Sequence, residues 1–113
     1  MSLKVGGITV PTDDEGYLIN PDDWNKEICE HLAQSEGIEL NDAHWKIITC
    51  MRNYFDDQNI IPGTRYITKF IAEELGYGKK EARNYLFKIF PYGYVKQACK
   101  IAGMRRPRAW STG

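Results

Sequence analysis

Apolar residues in this chain follow two periods. Up to residue 19 they alternate: Leu3-Lys4-Val5 and Ile8-Thr9-Val10 flank Gly6-Gly7. Two short alternating runs around a Gly-Gly pair predict a β-hairpin with a primed turn, which needs positive φ. Pro11 to Glu15 reads as a polar turn, and Gly16-Tyr17-Leu18-Ile19 as a short third strand. An antiparallel element this small needs helices to pack on.

From Asn20 the period becomes helical. Pro21-Asp22-Asp23 places proline and acids at a helix N-terminus, and Trp24, Ile28 and Leu32 repeat at i, i+4 and i+8. Gly37 ends that helix. Asn41 is the next N-cap candidate, opening a helix with Ile47, Ile48, Met51, Tyr54 and Phe55 as its apolar stripe, to about Asp57. Pro62-Gly63 breaks the chain. Thr64 is expected to cap a third helix, buried through Ile67, Phe70, Ile71 and Leu75 and stopped by Gly76. After Tyr77-Gly78 a fourth helix runs from about Lys79 to Phe90, until Pro91. A fifth, short helix turns Val95, Ala98, Cys99 and Ala102 to one side and ends at Gly103. The expected architecture is α+β, mainly α: a small N-terminal hairpin on a bundle of about five helices. One domain is expected over 1–103, divided into a hairpin region at 1–19 and helices at 20–103. A flexible, basic, Pro-broken arm follows at 104–113.

A length of 113 residues suits one domain with one modest core. No apolar run is long enough for a membrane helix, and the first residues lack the apolar core of a signal peptide. Cys29, Cys50 and Cys99 are odd in number and far apart, which suits a reducing cytoplasm. With only His31 and His44 beside them, no zinc set is expected, and no cofactor. Catalytic triads, carboxylate pairs and phosphate loops do not stand out, so a non-enzymatic role is expected.

Charge changes the picture more. Residues 1–40 carry nine acids and two lysines, whereas residues 82–113 carry seven bases and no acid. Either the positive end meets an acidic partner or nucleic acid, or it folds back on the acidic end. Arg105, Arg106, Arg108 and Trp110 are the candidate partner-binding residues, since Trp and Arg are enriched at interface hot spots. Trp110 has a second reading, burial in the domain's own groove. Cys29 and Cys50 read as core fillers. Cys99 reads either as another small buried hydrophobe or as a candidate thiol acidified by Lys96 and Lys100. His44, in the first turn of a helix, is badly placed to carry charge. Gly76-Tyr77-Gly78 has helix-turn-helix spacing, which would offer Lys79, Lys80, Arg83, Asn84 and Lys88 to a nucleic acid.

Several stretches resemble the DsrC/TusE family of sulfur-relay proteins. Asp14-Glu15-Gly16-Tyr17-Leu18 with Trp24 resembles the family's entry from hairpin to helix, and Glu39-Leu40, His44-Trp45, Ile47-Ile48 and Arg52-Tyr54 its central helix. Ile61-Pro62 with Arg65 resembles the break before its third helix. The most specific stretches are Asn84-Tyr85-Leu86, Phe90-Pro91-Tyr92-Gly93 and Lys96-Gln97-Ala98-Cys99-Lys100-Ile101-Ala102-Gly103, with Pro107 following. The resemblance implies sulfur carried as a persulfide or trisulfide on an arm cysteine. It also implies partners in tRNA thiolation or with dissimilatory sulfite reductase. Only Cys99 matches a family cysteine, that of the helix; Trp110 stands where the arm cysteine would be, and Tyr94 and Val95 stand where the family often has Pro and Ala. The functions expected are, first, an accessory protein docking on a sulfur-relay or sulfite-reductase-type partner without arm-cysteine transfer. The alternatives are a one-thiol relay through Cys99 and a helix-turn-helix DNA-binding regulator.

Overall fold

The hairpin forms where the alternation puts it. In the computed structural model, which describes residues 1–106, β1 (Ser2–Val5) pairs antiparallel with β2 (Ile8–Pro11), Leu3 opposite Val10. Gly6 and Gly7 make the turn at φ 56° and 81°. The third strand shrinks to a single bridge between Thr12 and Leu18. The Asp13 carboxylate accepts from the N–H groups of Glu15 (2.9 Å) and Tyr17 (3.0 Å), so this segment closes into a turn instead of running on. That turn delivers Tyr17 and Leu18 to the core.

The first helix starts later than its apolar spacing suggests. Pro21–Asp23 is a separate 3₁₀ turn, capped by the Asn20 side chain, and Trp24 follows in an extended conformation. Then α1 (Lys26–Ser35) begins behind a second asparagine, Asn25, whose side chain accepts from the Ile28 N–H at 2.9 Å. Trp24 therefore stands outside the helical stripe it seemed to open.

In α2 (Asp42–Gln58) the Asn41 side chain accepts from the N–H of Ala43 and His44. His44 Nδ1 accepts from the Asn41 N–H at 3.1 Å, and its Nε2–H donates to the Ile89 carbonyl at 2.9 Å. These two partners select the neutral ring, and burial lowers its pKa. For α3 (Thr64–Leu75) the cap is Gly63 and not Thr64, which is the first helical residue. Gly76, at φ 72°, turns the chain through Tyr77-Gly78 into α4 (Lys79–Ile89). The fifth helix is a π-helix, Tyr94–Cys99.

One core takes residues from the hairpin turn and from every helix. Met104 belongs to it: fully buried, it donates its N–H to the Cys99 carbonyl at 2.9 Å. The body therefore extends past residue 103, and Arg105 is the first surface residue after it.

Candidate functional site

Cys99 closes the π-helix. Winding by i→i+5 brings residues five apart onto one face, so Tyr94 stands beside Cys99 and a hydrogen bond links their side chains. The Tyr94 hydroxyl also donates to the Pro62 carbonyl at 2.6 Å, and the Tyr17 hydroxyl donates to the Val95 carbonyl at 3.0 Å. Cys99 is 0% exposed. Burial pushes its thiol up to about 12, with the Tyr94 bond pulling weakly the other way.

The acidification expected from Lys96 and Lys100 is therefore absent. Lys96 stays exposed, and the Lys100 ammonium is drawn to the Glu36 carboxylate at 2.9 Å in a largely buried pair. Gln97 joins them, accepting from the Tyr92 N–H and donating to Glu36. Cys29 fits its core-filler reading: it is fully buried, and burial raises its thiol to about 12. Cys50 packs against the core from its edge: it is half-buried and also lines a groove with Tyr54 and Tyr66.

Behind the π-helix lies an arrangement that hydrophobic periodicity does not reveal. The Trp24 indole N–H donates to the Ile101 carbonyl at 2.8 Å. The Arg52 guanidinium lies over the Trp24 ring at 4.6 Å. It donates to the Ala102 and Pro21 carbonyls, each at 3.0 Å. An arginine between core residue Met51 and the Tyr54-Phe55 stripe was the available signal. Together Trp24 and Arg52 clamp the chain that follows Cys99.

The basic end partly folds back. Arg105 Nε–H donates to the Ile19 carbonyl at 2.9 Å, and Arg106 pairs with Glu15 at 3.0 Å. Both belong to the acidic N-terminal part, so these two arginines follow the fold-back reading of the charge asymmetry. Arg108 and Trp110 lie outside the described residues. Lys79, Lys80, Arg83, Asn84 and Lys88 are all exposed on α4. Phe87, 42% exposed, stands among them, and nothing distinguishes the face from an ordinary solvated one. Among the described residues no group of His, Cys, Asp or Glu is arranged to hold a metal, and no helix is long and apolar enough to cross a membrane.

The family model described as "DsrC like protein" matches residues 4–109. The chain is 43% identical over 105 residues to the sulfurtransferase TusE homolog of Haemophilus influenzae, covering 93% of this chain and 95% of that one. It is 39% identical to the sulfurtransferase TusE of Pectobacterium atrosepticum over the same shares. The oxidized gamma-subunit of the dissimilatory sulfite reductase (DsrC) from Archaeoglobus fulgidus superposes with a TM-score of 0.86 at 33% identity, covering 96% of this chain and 97% of that one. The Allochromatium vinosum DsrC gives 0.81 at 37% identity, over the same shares. The chain belongs to the DsrC/TusE family of sulfur-relay proteins.

Proposed function

We propose that this chain is an accessory protein of sulfur trafficking that docks on a sulfur-relay or sulfite-reductase-type protein partner without persulfide transfer at its arm. The observation that carries this reading is the state of Cys99. It stands in the register of the family's helix thiol, yet it is fully buried and its thiol is raised to about 12. A thiol that accepts or passes sulfur must be ionised and within reach. Trp110 occupies the place of the arm cysteine, leaving recognition as the arm's role. Arg108 and Trp110 are assigned to it, the guanidinium steering the arm toward an acidic site and the indole anchoring it, while Arg105 and Arg106 hold the root of the arm through the Ile19 carbonyl and Glu15.

The test has two arms. Native protein incubated with a persulfide donor is expected to gain no one-sulfur mass increment on Cys99. The full chain is expected to be retained on an immobilised sulfurtransferase complex or sulfite reductase, and a chain ending at Arg106 to be lost. A sulfur adduct on native Cys99 that passes to a partner would establish the second reading, a one-thiol relay. Retention of the truncated chain at full strength would remove the arm's role.

A further inference from the structure

A groove of about 610 Å³ lies where α1 ends and the chain turns into α2. Local sequence shapes it. Gly37, at φ 71°, reverses the chain after α1, and the Ile38 N–H donates back to the Ala33 carbonyl at 2.9 Å. Ile38 and Leu40 are then half-buried, while Glu39 between them stays exposed. Ala33, Ile38, Leu40 and Trp45 form an apolar wall, and Glu30 and Glu39 are the charged groups of the lining. We propose that this groove docks a basic segment of the protein partner, an extended stretch whose apolar residue packs on the wall and whose flanking arginines meet Glu30, Glu39 and the Trp45 ring.

The charge of the groove has one sign. The ion pairs among the described residues are Lys46 with Glu74, Lys100 with Glu36 and Arg106 with Glu15, so Glu30 and Glu39 have no ion pair there. The last turn of α1 carries no base, and the negative end of its dipole adds to the two carboxylates. Arg105 and Arg106 reach only Ile19 and Glu15, so the folded-back basic end leaves this acidic stretch exposed.

The aromatic ring points to the same class of ligand. The Lys26 ammonium lies 5.9 Å from the Trp45 ring centroid, at the outer limit of a cation–π contact. A guanidinium stacks more closely on an indole and offers a planar fork to carboxylates. A small cation would leave the apolar wall in water. An uncharged apolar segment would cover the wall but desolvate two carboxylates without pairing them. A basic–apolar–basic pattern answers both, and in an extended segment residues at i, i+2 and i+4 share one face.

The inference rests on the docking reading above and names the chemistry of a second contact. The basic arm seeks an acidic site on the partner, and the acidic groove takes a basic segment. Two contacts of opposite sign fix how the partner is oriented. The test uses a peptide in place of the partner, so the groove and the arm fail separately.

The full chain is titrated with the acetylated, amidated peptide Gly-Arg-Ser-Leu-Ser-Arg-Gly, followed by the amide resonances of Ile38 and Leu40 and the Trp45 indole N–H. Saturable shifts at these sites are expected. A peptide with citrulline, the neutral isostere, for both arginines should bind about tenfold more weakly, and so should the original peptide to the Glu30→Lys/Glu39→Lys variant. Tyr66→Ala, in the α2–α3 groove that shares Trp45, should bind like the parent chain. No saturation at millimolar peptide overturns the proposal. So does a loss below about threefold in either comparison, which one exposed ion pair would give alone. Weakened binding in Tyr66→Ala overturns it by moving the site to the other groove. Tighter binding in Trp110→Ala overturns it by making the chain's own arm the occupant. Self-association that the Glu30→Lys/Glu39→Lys variant abolishes overturns it by making the occupant a second copy.

Discussion

The Trp24 indole fills the space that a side chain on Gly103 would need. A Cβ there would lie 2.7 Å from Trp24 Cγ, and Gly103 holds φ at 78°. Gly103→Ala therefore combines a backbone conformation unfavourable to alanine with a clash against a ring that Arg52 holds in place. The expected loss is about 2–4 kcal/mol. Gly37→Ala is the control: its φ is 71°, but nothing lies within 4 Å of the added atom, so only strain of about 1 kcal/mol remains. Urea unfolding of both variants checks the difference, and equal losses would mean that the Trp24 contact has no weight.

Arg52 holds two carbonyls from distant parts of the chain, Pro21 and Ala102, and covers the Trp24 ring. A lysine keeps the charge but not the planar fork. Arg52→Lys should cost about 1–3 kcal/mol, because at least one partly buried carbonyl loses its donor. A thermal melt measures the loss, and tryptophan fluorescence should report a changed setting for Trp24.

The buried thiol makes a chemical prediction. With its thiol raised to about 12 and its surface closed, native Cys99 should resist iodoacetamide near neutral pH, while half-buried Cys50 reacts first. Tyr94→Ala opens a cavity directly beside the sulfur and leaves the Pro62 carbonyl without its 2.6 Å donor. It should cost about 3–5 kcal/mol and let the reagent reach Cys99 through local opening. Peptide mapping of the alkylated protein reads the order of reaction.

His44 predicts a pH dependence. Its pKa is lowered from 6.5 in the folded protein, first because burial disfavours the charged ring. Below pH 6.5 the unfolded chain binds this proton more readily than the folded one does. His44's contribution is thus complete above pH 6.5 and declines as pH falls toward the folded-state pKa, with a limiting slope of about 1.4 kcal/mol per pH unit. The urea midpoint should fall between pH 7 and pH 5, and His44→Leu should flatten that slope while lowering stability at pH 7.

Elements are legible in the sequence wherever a local signal fixes them. Gly6-Gly7 and alternation set the hairpin, Asn41 the start of α2, and Gly76 the end of α3. Trp24 misleads because a large apolar residue at i−4 from Ile28 mimics a helical stripe. Its true partner, the Ile101 carbonyl, is 77 positions away. The π-helix is invisible because six residues are too few to separate one helical period from another. At the candidate site the register of Cys99 is readable, but its environment is not. Lys100 adjoins Cys99 in sequence, yet its ammonium goes to Glu36, a contact that only the tertiary fold creates. Met104 reads as part of the arm for the same reason: a lone apolar residue before two arginines carries no local sign of burial.

The closure around Cys99 also bears on how the protein meets its chemical surroundings. A thiol that is neither ionised nor reachable stays off the oxidation ladder, which begins with an accessible thiolate. At this position the chain keeps one conformation whether the medium is oxidising or reducing. Any message it passes to a partner from here is carried by shape and charge, independent of redox poise.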